Sequence, residues 1–362
     1  MLQQRVEKLR KTLKEKNLDA FLVSNFYNVL YLTEFKTLGD DERGAWGLVT
    51  KDNFYLFTDS RYIKNQNNKI QNLKYKLITP EKGLIKHLQE IVYEEKIQRL
   101  GFEGDDLKVN ELQKIKEKFV KAELVSIEKL IIKIREIKDE KEINKIRTAC
   151  KIADQCLKEV VKTIRPGLSE KEIAFKIEFW LKEKNYDLSF YPIVAIDKNS
   201  TIPHYDTRNG SDEKVKKNSI ILIDSGVKFQ NYHSDITRMI FVGKPTDEMI
   251  NTYNRLLASQ EKTINQLNND NNPVSVDQFC RQQLTSYQVY SHSTGHGVGL
   301  QIHEYPKISF TSTDVLKSNQ VVTIEPGVYI EGKWGMRIED TVLMKKDGVE
   351  ILTKFSKQLL II

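Results

Sequence analysis

The sequence predicts a mixed α+β protein of two domains, a small α/β domain at residues 1–127 and a larger α+β domain at residues 128–362. Three observations predict it. A chain of 362 residues exceeds what one ordinary core fills. Helix-like and strand-like stretches alternate as far as Ser126. Two long amphipathic stretches then run to Lys184, and from Tyr191 the pattern changes to short β-type segments separated by turns.

The elements follow in order. Residues 5–17 (RVEKLRKTLKEKN) carry apolar positions at helical spacing, and LDAFLVS follows as a short apolar strand. Trp46 to Tyr62 reads as a hairpin, with apolar runs flanking a Lys51-Asp52-Asn53 turn. Helical stretches at Gly83 to Lys96 and Asn110 to Phe119 alternate with the strand-like LGF and AELVSI. A charged connector, Glu128 to Lys141, leads into a long helix. Its residues Ile143, Ile146, Cys150, Ala153, Leu157, Val160 and Ile164 form one apolar stripe, which is core. Arg165-Pro166-Gly167 ends that helix, and Ser169 with Glu172 makes the capping-box pattern of a second one.

Composition narrows the function classes. With 40% hydrophobic and 30% charged residues and no apolar run of membrane length, the chain reads as a globular protein without a membrane partner. Its N-terminus has charges at helical spacing and does not resemble a signal peptide, so a cytoplasmic location is expected. Cys150, Cys156 and Cys280 are odd in number and lack CxxC spacing, which argues for reduced, packed residues. The net charge of +7 comes from lysines spread among glutamates, with no basic block interleaved with aromatics, so nucleic acid is not an expected partner.

Chemistry concentrates at Ser291 to Glu304, SHSTGHGVGLQIHE, where His292, His296 and His303, half of the six histidines, stand among Gly295, Gly297 and Gly299. Glycines there let the backbone turn tightly and approach a ligand, and imidazole is both a common metal ligand and a proton carrier near neutral pH. In SIILIDSGVKFQNYHSDITRMIFVG an apolar strand reaches Asp224 and a second strand leaves from Asp235. A two-residue loop at Phe229-Gln230 would set the two acids opposite each other, roughly 4.5–5.5 Å apart at Cβ. Turn-flanking acids are commonplace, but an acid ending IILID is costly to bury unpaired. In VVTIEPGVYIEGKWGMRIEDTVLM, Glu325 and Glu339 flank Glu331-Gly332-Lys333, and an odd loop centred on Gly332 would oppose them. Four carboxylates and an imidazole form the mixed oxygen and nitrogen set that Mn²⁺, Co²⁺ or Zn²⁺ accepts in a two-metal hydrolytic site. His233 reads as structural or solvent-facing, His87 as exposed, and Trp46, Trp180 and Trp334 as packing residues, with Trp334 near enough to border the pocket.

DSGVKFQNYHSDITR, HSTGHGVGLQIHE, TIEPGVY and MRIED, in this order within Ile137 to Leu359, resemble the motifs of the pita-bread metallopeptidases, specifically the branch of Xaa-Pro aminopeptidase and Xaa-Pro dipeptidase. NVLYLTEF and FTDSRY resemble the creatinase-like N-terminal domain of that branch. The resemblance implies a pita-bread catalytic domain and two divalent ions, Mn²⁺ first, with Co²⁺ or Zn²⁺ as alternatives. It implies that Asp224 binds one ion, Asp235 and Glu339 bridge both, His296 holds the other, and Glu325 completes the set while orienting the water nucleophile. It also implies that His204, in NSTIPHY, stabilises the tetrahedral intermediate, that His303 binds substrate and handles protons, that His292 lines the pocket, and that Arg337 supports the bridging carboxylates. The expected activity is removal of a residue preceding proline from a peptide, as a homodimeric Xaa-Pro aminopeptidase. The alternative is Xaa-Pro dipeptidase with the same site; methionine aminopeptidase and a non-enzymatic binding protein rank below both. Glu34 stands where relatives usually have Gly, and KTLGDDERG departs from the common pattern of a loop that in relatives approaches a neighbouring subunit's active site. That departure bears on substrate length and dimer detail, not on the metal chemistry.

Overall fold

Val6, Leu9 and Leu13 recur at spacings of three and four, and this stripe is what the first helix, Leu2–Glu15, buries. In the computed structural model, which describes residues 2–37, 39, 43–62, 70–118, 122–287 and 290–362, the chain separates into two units, Met1–Arg135 and Glu136–Ile362. Phe119, and residues 38 and 40–42 of KTLGDDERG, lie outside the described residues.

The first unit is built on a six-stranded sheet. In spatial order its strands are Leu73–Leu77, Phe54–Thr58, Ala45–Thr50, Ala20–Val23, Arg99–Glu103 and Glu123–Ile127. Ala45–Thr50 and Phe54–Thr58 form the expected antiparallel hairpin, closed by the Thr50 and Asn53 backbones. The helix Leu84–Glu94 buries Leu88, Ile91 and also His87, whose Nε2 lies 2.9 Å from the Leu77 carbonyl. The expectation of an exposed His87 therefore fails. Its lysine neighbours in sequence project from other faces of the helix, and sheet packing decides the histidine's environment. Glu34 ends the helix Phe26–Thr33 in the left-handed region, at φ 59°, where a glycine would carry no Cβ strain.

In the second unit Glu140–Val161 buries the expected stripe, including Ile143, Ile146, Cys150 and Leu157, and is capped by an Asp139/Glu142 box that the sequence reading placed in a connector. Both halves of the Ser169/Glu172 box form at the start of Glu170–Glu183. These two helices cover a four-stranded sheet ordered Leu360–Ile361, Ile236–Phe241, Ile220–Ser225, Ile193–Ile196. A five-stranded sheet, ordered Glu304–Ile308, Gly295–Gly297, Val321–Ile324, Asp340–Lys345, Gly348–Ile351, packs with Asp247–Gln266 and Pro273–Gln282. A three-stranded sheet ordered Tyr232–His233, Val227–Phe229, Asp187–Leu188 and the hairpin of Gly327–Ile330 and Trp334–Arg337 complete the β structure among the described residues, with Trp334 buried in the core. All three cysteines are buried and unpaired.

Candidate metal centre

The two acid-bearing hairpins meet where the Glu339 N–H donates to the Thr237 carbonyl at 3.2 Å, and the second joins the histidine segment where the Glu325 N–H donates to the Thr294 carbonyl at 2.9 Å. In the first hairpin Asp224 pairs with Thr237, and Lys228 with His233. The turn is Gln230-Asn231, both in the left-handed region at φ 48° and 71°, and not Phe229-Gln230. This one-residue difference makes Asp224 and Asp235 diagonal neighbours on one face, not a directly opposed pair. The sequence hid it because Gln is a poor marker for a primed turn, where Asn-Gly is the usual signal. In the second hairpin Ile324 pairs with Asp340 and Gly327 with Arg337, the register that sets Glu325 across from Glu339. Gly332, at φ 73°, marks that turn as expected.

His296 arrives on Gly295–Gly297, between the strands Glu304–Ile308 and Val321–Ile324. Its flanking glycines serve strand packing: a Cβ on Gly295 would lie 1.9 Å from the Thr323 carbonyl oxygen, and one on Gly297 would lie 2.3 Å from that of Tyr305. The expected closeness is thus to backbone. His296 Nδ1 lies 3.0 Å from the Gly297 carbonyl, which fixes the proton there and leaves Nε2 as a lone pair. That Nε2 lies 3.6 Å from Asp235 Oδ2 and 3.4 Å from Glu325 Oε1. One ligand atom each from Asp235, His296 and Glu339 fall within 4.8 Å of one another.

Burial and like charge crowd the acids of this cluster. Burial, then Glu339 and Asp224, hold the Asp235 carboxyl far above the ordinary range, and burial with Glu325 and Asp224 does the same to Glu339. Burial pushes the Glu325 carboxyl up to about 7 and His296 downward. Oδ1 of Asp224, Oδ1 of Asp235 and Oε1 of Glu339 are buried without a hydrogen-bond partner. Unpartnered buried oxygens are costly. Three of them converging with a free imidazole lone pair fit divalent cations, which take carboxylate and imidazole ligands together.

Arg337 braces the cluster. Its Nη2 donates to Asp224 Oδ2 at 2.7 Å, its Nη1 to the Tyr329 hydroxyl at 2.9 Å and the Pro203 carbonyl at 3.1 Å, and its Nε to Thr237 Oγ1 at 3.1 Å. The Thr237 hydroxyl in turn donates a hydrogen bond to Glu339 Oε2 at 2.7 Å. Arg337 thus touches Asp224 directly and reaches Glu339 only through Thr237, whereas the family resemblance implied support of Asp235 and Glu339. Burial works against its charge, but Tyr329, Asp224, Glu325 and Glu339 hold it protonated. Thr237, Thr323 and Tyr329 were missed in the sequence reading, although each lies within or beside a quoted motif.

The other histidines separate. His292 is half-buried, its Nδ1 2.8 Å from the Ser293 carbonyl and its Nε2 3.1 Å from the Tyr329 hydroxyl, and burial lowers it to about 4. His303 is exposed and meets the His296 ring edge to face at 4.5 Å. His204 is exposed and follows Pro203, which Arg337 anchors; it is close enough for its charge to act on His292, His296 and His303. His233 is buried, with Nδ1 3.1 Å from Ser189 Oγ, so of the two readings offered for it the structural one applies.

The sequence profile described as metallopeptidase family M24 matches residues 144–346, and that of the creatinase/prolidase N-terminal domain matches residues 5–137. The chain belongs to metallopeptidase family M24. Over 99% of its length and 100% of its relative's, this M24 chain is 33% identical to the Xaa-Pro dipeptidase of Pyrococcus furiosus. Among solved structures it resembles an Xaa-Pro dipeptidase from Bacillus anthracis at TM-score 0.91 and 32% identity, covering 100% of both chains. It also resembles an X-Pro aminopeptidase from Thermotoga maritima at TM-score 0.85 and 30% identity, covering 97% of this chain and 100% of that one. The architecture is therefore a creatinase-type N-terminal domain and a pita-bread M24 domain, in the Xaa-Pro dipeptidase and aminopeptidase branch, whose family chemistry uses divalent metal ions. Among the described residues, no helix is long and apolar enough to cross a membrane.

Proposed function

We propose that this M24 chain is an Xaa-Pro dipeptidase, in preference to the aminopeptidase that the motifs first suggested. The observation that carries the choice is the full-length likeness to the Pyrococcus furiosus dipeptidase, joined by the Bacillus anthracis structure. The likeness to the Thermotoga maritima aminopeptidase keeps that activity as the second reading.

Asp224, Asp235, His296, Glu325 and Glu339 hold two ions in this reading. Divalent ions, Mn²⁺ before Co²⁺ or Zn²⁺, would polarise the scissile carbonyl and make water acidic enough to attack at neutral pH. Arg337 orients Asp224, and through Thr237 fixes one oxygen of Glu339. Glu325 takes the proton of the attacking water and hands it to the proline nitrogen as the C–N bond breaks. That nitrogen needs it, because a tertiary amide leaves as a secondary amine. His204 donates to the carbonyl oxygen as negative charge develops there. His303 and His292 contact the substrate, and the neutral His292 accepts from Tyr329, which keeps that hydroxyl turned away from Arg337's carboxylate partner.

The substrate is a dipeptide ending in proline. A cytoplasmic homodimer, with three reduced cysteines, completes the proposal. Chelator-stripped protein reloaded with Mn²⁺ should cleave Gly-Pro and leave Gly-Pro-Yaa-Zaa intact. Cleavage of the longer peptide alone would transfer the assignment to the aminopeptidase, and turnover of neither would remove both.

A further inference from the structure

Outside the metal cluster, the segment that delivers His292 is held by a side-chain pair on the helix Pro273–Gln282, and nothing in the proposed chemistry accounts for it. Asp277 is fully buried and Arg281 lies one turn on, with Nε donating to Asp277 Oδ2 at 2.8 Å. The same guanidinium donates from Nη1 to the Tyr290 carbonyl and from Nη2 to the His292 carbonyl, each at 2.7 Å. It also lies over the Tyr290 ring at 4.3 Å. The other Asp277 oxygen accepts from Thr294 Oγ1 at 2.6 Å, and Thr294 in turn meets the Tyr290 hydroxyl at 2.5 Å. One ion pair thereby holds residues 290–294 at three points, two backbone carbonyls and the Thr294 hydroxyl.

What this backbone carries faces the site. The Tyr290 and His292 rings lie 4.8 Å apart, and His292 reaches the Tyr329 hydroxyl that Arg337 also holds. Tyr290, Ser291 and Tyr329 line a pocket of about 360 Å³ with Thr201, Ile202 and Pro203, the residues that lead into His204. Displacing the 290–292 backbone would move one wall of that pocket. The metal-facing groups of His296, Asp235 and Glu339 would stay where their own strands put them. A planar guanidinium can grip two carbonyls and a carboxylate at once, which an ammonium cannot.

We propose that Asp277 and Arg281 are positioning residues for substrate: from outside the pocket they set its Tyr290–Ser291 wall and the backbone of His292 beside it, and so govern substrate affinity more than the bond-breaking step. This rests on the peptidase reading of the site. The test uses full-length Mn²⁺-loaded protein and Gly-Pro, with Arg281→Ala and Arg281→Lys. We expect KM to rise at least about tenfold in both variants while kcat changes less than about threefold, the signature of lost binding shared by ground and transition states. Bound Mn²⁺ per chain should match the parent protein. Guanidinium at about 20 mM should restore KM in Arg281→Ala, with sodium chloride of equal ionic strength ineffective, because only the planar cation replaces the lost donors. An unchanged KM, or loss of Mn²⁺ in step with activity, would overturn the proposal. If Arg281→Ala folds poorly, Arg281→Lys carries the same readouts. Parent protein inactive on Gly-Pro and on longer X-Pro peptides would instead sink the peptidase reading, so the two failures are distinguishable.

Discussion

At the scale of single residues, the acids of the cluster work against the fold that holds them. Burial and mutual repulsion keep Asp235, Glu325 and Glu339 protonated beyond the ordinary range, and a bound cation must displace those protons. Apparent Mn²⁺ affinity should therefore rise with pH toward about 8, with protons released on binding, because Glu325 gives up its proton only near 7. Calorimetry in buffers of different ionisation enthalpy measures that release; an affinity independent of pH between 6 and 8 would contradict the assignment. Asp235→Asn should abolish Mn²⁺-dependent turnover and yet stabilise the metal-free protein at pH 8 by about 1–2 kcal/mol, since an amide escapes the cost of holding a buried carboxyl protonated above its unfolded pKa. Chemical denaturation in EDTA would show the gain. The acids and His296 were legible as residue types in their motifs. Thr237 and Tyr329 were not, because a hydroxyl bridging Arg337 to Glu339 or to His292 is a fact of cross-strand proximity with no sequence spacing of its own.

At the scale of elements, register decides which side chains meet. The Glu325/Glu339 hairpin was legible because Gly332 advertises its turn, and the odd loop around it fixes the pairing. The Asp224/Asp235 hairpin was misread by one position because Gln230 and Asn231 both take positive φ without a glycine between them. Gln230 is exposed, so Gln230→Gly should relieve its backbone strain and raise stability by about 0.5–1 kcal/mol with turnover unchanged. A thermal melt of the metal-free protein tests it, and a lower melting temperature would count against the strain argument. The capping boxes separate in the same way. Ser169/Glu172 was visible because a Pro-Gly break precedes it, whereas Asp139/Glu142 sat inside a charged run that looked like a connector. Ser169→Ala should cost about 1 kcal/mol of stability while sparing the reaction.

At the scale of the molecule, the second unit is cross-braced by a buried charge network at Asp340, the first residue of the strand Asp340–Lys345 that follows Glu339. Asp340 receives Arg238 Nη2 at 2.7 Å and Lys357 Nζ at 2.8 Å, while Arg238 also donates to the Phe355 carbonyl and Lys357 to Gln260. Burial raises the Asp340 carboxyl, but the two cations outweigh it and leave the group below its ordinary value. A depressed carboxylate stabilises the fold above its unfolded pKa and loses that contribution as pH falls through the folded one. Stability should accordingly decline below about pH 4. Asp340→Asn should flatten that acid limb and cost about 3–5 kcal/mol at neutral pH by stranding two buried cations. Denaturant titrations at pH 3 and pH 7 would measure both.

The three unpartnered carboxylate oxygens have a consequence for how such a chain can change over generations. Most substitutions that disable an enzyme also harm its folding, so loss of activity is ordinarily penalised twice. Here neutralising a ligand removes repulsion while the hairpins, their turns and the Arg238–Asp340–Lys357 brace remain intact. Drift at these positions meets little resistance from stability alone, and only continued demand for the reaction keeps the acids in place. A selection for thermostability without activity should therefore recover neutral amides at Asp235 and Glu339, each with an unpartnered oxygen and no Lys or Arg paired to it among the described residues, ahead of substitutions in the surrounding apolar core.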